Sequence, residues 1–126
     1  MKLLLDTHVV LWGLDQPERL SAGARAAMTA PSNRAFVSVA TIWEIAIKTR
    51  KGQLNSRPDL PDWIEANPDF ELLPITPEHA WRVRELPRLH GDPFDHLLIV
   101  QALCEGMTLV THDRAMAQYG VPIVQT

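Results

Sequence analysis

Five short stretches of the chain are apolar almost throughout: KLLLD at the start, AFVSV at 35–39, FELLPI at 70–75, MTLVT at 107–111 and VPIV at 121–124. A strand with one wet face alternates apolar and polar residues, whereas a strand covered on both faces can be apolar at every position. These runs therefore predict parallel strands sandwiched between two layers. Helical patterns fill the intervals, at roughly 8–14, 21–30, 41–50, 59–67, 77–86 and 94–105, with a short one after 112. The punctuation agrees: Gly52 closes a helix rich in Lys and Arg, Pro93 suits a first helical position, and Gly106 parts a helix from a strand. Strands alternating with helices imply right-handed crossovers and an α/β fold of three layers, α/β/α, around a central, mostly parallel five-stranded sheet. No repeat, low-complexity tract or linker divides the chain, and residues 1–126 suit a single domain with one core.

Composition narrows the setting. With 46% hydrophobic and 21% charged residues the chain reads as an ordinary globular protein. No apolar run reaches membrane length, and the short stretch before Asp6 does not read as a signal peptide, so a cytoplasmic protein without a membrane segment is expected. The single Cys104 lies in an apolar helical context and is expected to be a buried thiol in a reducing compartment. A net charge of -3 argues mildly against a passive nucleic-acid binder. It does not argue against an enzyme whose acidic pocket is balanced by divalent cations.

Ligands of open parallel α/β sheets bind beyond the carboxyl ends of the strands. Four acids fall there: Asp6 after the first strand, Glu44 in SVATIWE after the second, Asp95 in DPFD opening the helix before the fourth, and Asp113 in THD after it. Each also has a local explanation. Thr41 and Glu44 form the T-x-x-E capping box, and Glu44 precedes Lys48 by four residues, a favourable helical pair. Asp92 suits a helix N-cap, as do Asp6 or Thr7 and Thr111 or Asp113 for their own helices. Capping explains an acid at each helix start, but not acids at every place that converges on one crevice. Carboxylates within about 4–6 Å repel one another unless a cation joins them. Hard oxygen donors point to Mg²⁺, with Mn²⁺ as a second candidate.

The stretches LLLDTHVVLW, SVATIWEIAIK, GDPFDHLLIVQA and LVTHDRAM, in this order and spacing, resemble the PIN-domain ribonucleases, and within them the VapC-type toxins of type II toxin–antitoxin pairs. The likeness spans essentially the whole chain. It implies a metal-dependent endoribonuclease with Asp6, Glu44, Asp95 and Asp113 as the metal-binding and catalytic set, Thr7 and Thr111 as hydroxyl helpers, and Asp92 as a cap or supporting acid. It also implies an RNA substrate, a small cognate antitoxin and a homodimer. The sequence departs from that pattern at His8, where Asn is common, and at His96 and His112; these are expected as neutral side chains that contact substrate or cap helices.

Basic residues offer weaker signals. Lys48, Arg50 and Lys51 follow the Glu44 helix, and Arg82, Arg84, Arg88 and His90 precede DPFD. Arg82, Arg84 and Arg88 are the candidate phosphate contacts. Trp12, Trp43, Trp63 and Trp81 all fall in helical stretches and are expected in core or interface packing. A haloacid-dehalogenase-type phosphotransferase needs a second Asp where this chain has His8. A receiver-type pocket needs paired acids near the start and a Lys near the last strands. The remaining alternative is a non-catalytic PIN-fold RNA-binding or interaction module, which would be expected to lose acids that this chain keeps.

Overall fold

The computed structural model describes residues 1–89 and 91–126; His90 lies outside the described residues. Five strands form one sheet: β1 (Lys2–Leu5), β2 (Arg34–Ser38), β3 (Phe70–Leu73), β4 (Thr108–Thr111) and β5 (Ile123–Gln125). Their order is β3-β2-β1-β4-β5, and all four pairings are parallel. The sheet is thus wholly parallel rather than mostly so. Among the described residues, six α-helices accompany it: α1 (Thr7–Asp15), α2 (Ala22–Thr29), α3 (Val39–Arg50), α4 (Leu60–Ala66), α5 (Pro77–Arg82) and α6 (Pro93–Glu105).

The unbroken apolar runs are explained by two separate cores. Leu4, Phe36 and Leu109 point to one face, where they meet Leu97, Leu98, Ile99 and Ala102 of α6. Leu3, Leu5, Ala35, Val37 and Val110 point to the other, against Val9 and Val10 of α1, Ala24 of α2, Ile45 of α3 and Ile64 of α4. Neighbouring positions on each central strand therefore serve opposite cores, and both must be apolar. Leu3, Leu4 and Leu5 are all 0% exposed. Each such leucine stabilises the fold by about 1.5–3 kcal/mol.

Element boundaries shift where backbone chemistry dictates. β3 ends at Leu73 rather than 75 because Pro74 has no N–H for the ladder, and β5 begins after Pro122 for the same reason. The expected helix 77–86 breaks after Arg82 into a 3-10 turn, Val83–Glu85, before Pro87. The short helix after 112 is a 3-10 helix, Arg114–Tyr119, and a further 3-10 turn, Pro17–Arg19, was not expected. Gly106 takes φ +66° to turn α6 into β4, a conformation that disfavours any side chain.

Buried polar groups tie the helices to the sheet. Gln101 of α6 is fully buried; it accepts from the Ser38 hydroxyl at 2.5 Å and donates to the Pro74 carbonyl at 3.2 Å. His79 of α5 accepts from the Thr76 N–H at 3.1 Å and meets Glu105 at 2.9 Å. Cys104 is half-buried, not buried, with Arg82 Nη1 3.4 Å from its sulfur, because it lies on the outer side of α6. Leu4→Ala leaves a void in the centre of the α6-side core. It should lower unfolding free energy in urea by about 2–5 kcal/mol; a loss under about 1 kcal/mol would show that this core collapses freely around the missing leucine.

Candidate active site

Parallel strands place all their carboxyl ends on one edge. The chain leaves β1 toward β2 on one side and later returns to β4 on the other, so the strand order reverses at β1. That switch point is where a crevice opens in such sheets. Asp6 stands there, directly after β1, 4% exposed. Its backbone N–H still belongs to the sheet, donating to Val110 O at 2.9 Å. Its carboxylate serves two purposes at once: Oδ1 accepts from the Thr7 N–H at 2.6 Å and caps α1, while Oδ2 accepts from the Thr111 hydroxyl at 2.6 Å. The local and functional explanations of Asp6 are therefore compatible.

Glu44 arrives from α3, where the expected capping box is absent. Ser38 caps this helix, accepting from the Ala40 N–H at 3.0 Å, so α3 starts at Val39 and Glu44 lies in its second turn. A serine at the end of the strand satisfies the same need as Thr41 would have, three residues earlier than the T-x-x-E spacing suggested. Thr41, Thr7 and Glu44 form a buried cluster instead. The Thr7 hydroxyl donates to Glu44 Oε1 at 2.6 Å and sits 3.3 Å from Thr41 Oγ1, and Lys48 Nζ is 2.8 Å from Glu44 Oε2. Thr7 thus links Asp6, through its N–H, to Glu44, through its hydroxyl. The helical pair of Glu44 and Lys48 forms as the spacing suggested.

Asp95 lies in the first turn of α6, half-buried, and Asp92 caps that helix by accepting from Phe94 N at 2.9 Å and Asp95 N at 3.3 Å. Asp113 caps the 3-10 helix after β4, accepting from Ala115 N at 2.9 Å. The four expected acids, with Asp92 beside them, all line one pocket of 180 Å³. Their proximity shows in their titration. Burial, then the charges of Asp6, Asp92, Glu44 and Asp113, pushes the Asp95 carboxyl up to about 7. Burial also raises Asp6, opposed by the hydrogen bonds from Thr111 and Thr7 and by His8 and His112.

A family model described as the PIN domain matches residues 3–122. The chain belongs to the PIN-domain family. Ribonuclease VapC22 of Mycobacterium tuberculosis is 29% identical over 122 residues, covering 95% of this chain and 93% of that protein. The fold is shared with VapBC2 of Rickettsia felis, solved bound to a promoter DNA fragment (TM-score 0.73, 15% identity, 99% of this chain and 98% of that one). It is shared as well with DNA-bound VapBC of Salmonella typhimurium (TM-score 0.71, 20% identity, 99% and 98%).

Around the pocket of this PIN domain stands an aromatic rim of His8, His112 and Trp12. His8 and His112 both line the pocket, with ring centroids 4.6 Å apart. Trp12 is 5.4 Å from His112, and the Arg19 guanidinium lies 4.4 Å over Trp12. Neither histidine caps a helix; the caps are Asp6 and Asp113. Partial burial first, and the neighbouring His112 second, lowers the His8 pKa. His96 turns elsewhere, 3.3 Å from the Tyr119 hydroxyl, into a groove of 560 Å³ shared with Arg84, Arg88 and Leu89.

The three candidate arginines divide. Arg82 pairs with Glu78 at 3.3 Å and Glu85 at 3.2 Å and does not line the groove. Arg84 stacks 4.7 Å over Trp81 and, with Arg88, faces the groove. Trp43 and Trp81 are not core residues: they are 53% and 67% exposed, with Trp43 edge-on to Phe94 at 4.9 Å. Lys48 is the pocket residue whose part the sequence left open. Its spacing from Glu44 shows a helical pair, and only the sheet order reveals that the pair faces the other acids.

Among the described residues, no three His, Cys, Asp or Glu side chains already surround one common ion position. The donor set nevertheless fits a hard divalent cation: five carboxylates line one pocket, and burial together with the neighbouring acids pushes Asp95 up to about 7. Mg²⁺ keeps several of its waters, so carboxylates can hold it without all touching it. A carboxyl raised from 3.8 to about 7 favours the folded state while protonated. Stability from Asp95 is then fully present below pH 4 and is lost as pH rises through about 7. The Tm of metal-free protein should fall between pH 5 and 8. Asp95→Asn should flatten that slope, and Mg²⁺ should raise Tm more at pH 8 than at pH 5. An identical slope in the variant would assign the effect to other groups.

Proposed function

We propose that this PIN domain is a metal-dependent endoribonuclease, the toxin of a toxin–antitoxin pair, acting as one catalytic domain over residues 1–126. The observation that carries this reading is the convergence of Asp6, Glu44, Asp95 and Asp113 from four elements on one pocket, with Asp95 pushed up to about 7 by burial and then by the other acids. The relative named as a ribonuclease and the neighbours solved as VapBC complexes support it. A small antitoxin covering the acidic pocket, a homodimer and a cytoplasmic setting belong to the same reading. No helix among the described residues is long and apolar enough to cross a membrane.

Asp6, Glu44, Asp95 and Asp113 would hold Mg²⁺, or Mn²⁺ in its place, and the bound ion would make water more acidic and offset charge on the phosphodiester. The chain's own residues prepare this. Thr111 and the Thr7 N–H fix the Asp6 carboxylate, and the Thr7 hydroxyl and Lys48 fix Glu44. Asp92 caps α6, which carries Asp95, and Asp113 caps the 3-10 helix after β4. In hydrolysis the water oxygen joins phosphorus and the P–O3′ bond breaks. One water proton ends on the 3′ oxygen, and the other stays on the new phosphomonoester or passes to buffer. The products are 5′-phosphate and 3′-hydroxyl ends. Arg84 and Arg88 would contact RNA beyond the scissile bond.

RNA cleavage by purified protein in Mg²⁺ or Mn²⁺ tests the reading. Asp6→Asn and Asp95→Asn should each lower activity by about 100-fold or more, and EDTA should abolish it. Asp15→Asn, at the exposed end of α1, should not change it. Activity that survives both substitutions or survives EDTA would exclude the metal nuclease, and no cleavage under any condition would leave a non-catalytic RNA-binding or interaction module. Cyclic 2′,3′-phosphate ends would exclude attack by water. Thr111→Val removes the hydrogen bond to Asp6 while keeping the shape, and should weaken Mn²⁺ binding by about 10–100-fold; unchanged affinity would show that Asp6 needs no such support.

A further inference from the structure

Of the residues that line the acidic pocket, Lys48 is the one permanent cation, set among five carboxylates. Its Nζ is 2.8 Å from Glu44 Oε2, and the pair is unequal: the Glu44 side chain is 7% exposed and that of Lys48 37%. Glu44 is therefore fixed within the protein, since its other oxygen accepts from Thr7 at 2.6 Å. Lys48 reaches it from the open side on a flexible four-carbon stem. Arg50 and Lys51, further along α3 and at its end, do not line the pocket. The fold thus delivers one ammonium to a pocket otherwise lined by five carboxylates and two histidines.

We propose that Lys48 is a tethered cation that occupies the position of a second metal, so that the pocket takes one divalent ion and the Lys48 ammonium supplies the other positive charge facing the scissile phosphodiester. This rests on the nuclease reading of the same pocket. An ammonium neutralises one carboxylate without demanding octahedral coordination, which suits acids that do not already surround a common point. Removing it should leave room and charge for a further ion.

Mn²⁺ binding, counted by calorimetry and by electron paramagnetic resonance of the free ion, tests this with wild type, Lys48→Met and Lys48→Arg. Wild type and Lys48→Arg should bind one Mn²⁺ per chain. Lys48→Met should bind two, or one with affinity about tenfold or more tighter. In RNA cleavage, Lys48→Met should lose about 100-fold at low Mn²⁺ and regain activity at high Mn²⁺ with a second-order dependence on the ion, where wild type is first-order. Two ions in wild type would overturn the inference whatever the variants do, and so would Mn²⁺ binding unchanged within about twofold in a folded Lys48→Met. Wild type that cleaves RNA yet binds two ions rejects the role of Lys48 and keeps the nuclease. Wild type that binds one ion, with the variants as expected, but cleaves no RNA in any condition rejects the nuclease reading instead.

Discussion

Asp6 leaves a strand whose three leucines are all fully buried, and its carboxylate must find partners where water barely reaches. An isolated charge there would be costly, so the surrounding elements are arranged to receive it: the start of α1 gives an N–H, and β4 gives the Thr111 hydroxyl. Thr7 passes the constraint on to α3 by donating its hydroxyl to Glu44. The sheet order β3-β2-β1-β4-β5 makes this possible, because it sets β1 at the centre with the ends of β2 and β4 on either side. The apolar strands aim the acids, and the acids in turn fix how the helix starts pack on the sheet edge.

The arrangement is stable in its parts and strained as a set. Asp6 and Glu44 accept hydrogen bonds and Asp92 and Asp113 cap helices, yet burial and the neighbouring carboxylates push Asp95 up to about 7. A fold under selection for stability alone would dilute such a cluster, since groups of like charge disfavour one another. A cation bound in the pocket would relieve the same electrostatic conflict. Lys48 resolves it only in part, one charge against five carboxylates.

Much of this was legible in the sequence because the signals were redundant. The five apolar runs identified the strands, since doubly covered parallel strands leave no polar positions. Asp6, Glu44, Asp95 and Asp113 were legible because the strand ends of such a sheet share one edge. What the sequence hid depended on direction in space. T-x-x-E at Thr41 and Glu44 fits a capping box as well as it fits a buried cluster, and only the helix start at Ser38 decides. Trp43 and Trp81 look like core residues until the faces of α3 and α5 are known. Lys48 looks like a surface partner until the pocket is assembled. Ser38, Gln101 and His79 form a buried polar chain from residues far apart in sequence, and no local pattern marks them.

The account stands on the acidic pocket being a cation site, and the anomalous diffraction of crystals soaked in Mn²⁺ measures that most directly. A peak should stand between Asp6, Glu44, Asp95 and Asp113, in direct or water-bridged contact with their oxygens, and Asp95→Asn should remove or weaken it. No peak in this pocket, with Mn²⁺ bound elsewhere on the protein, would contradict it.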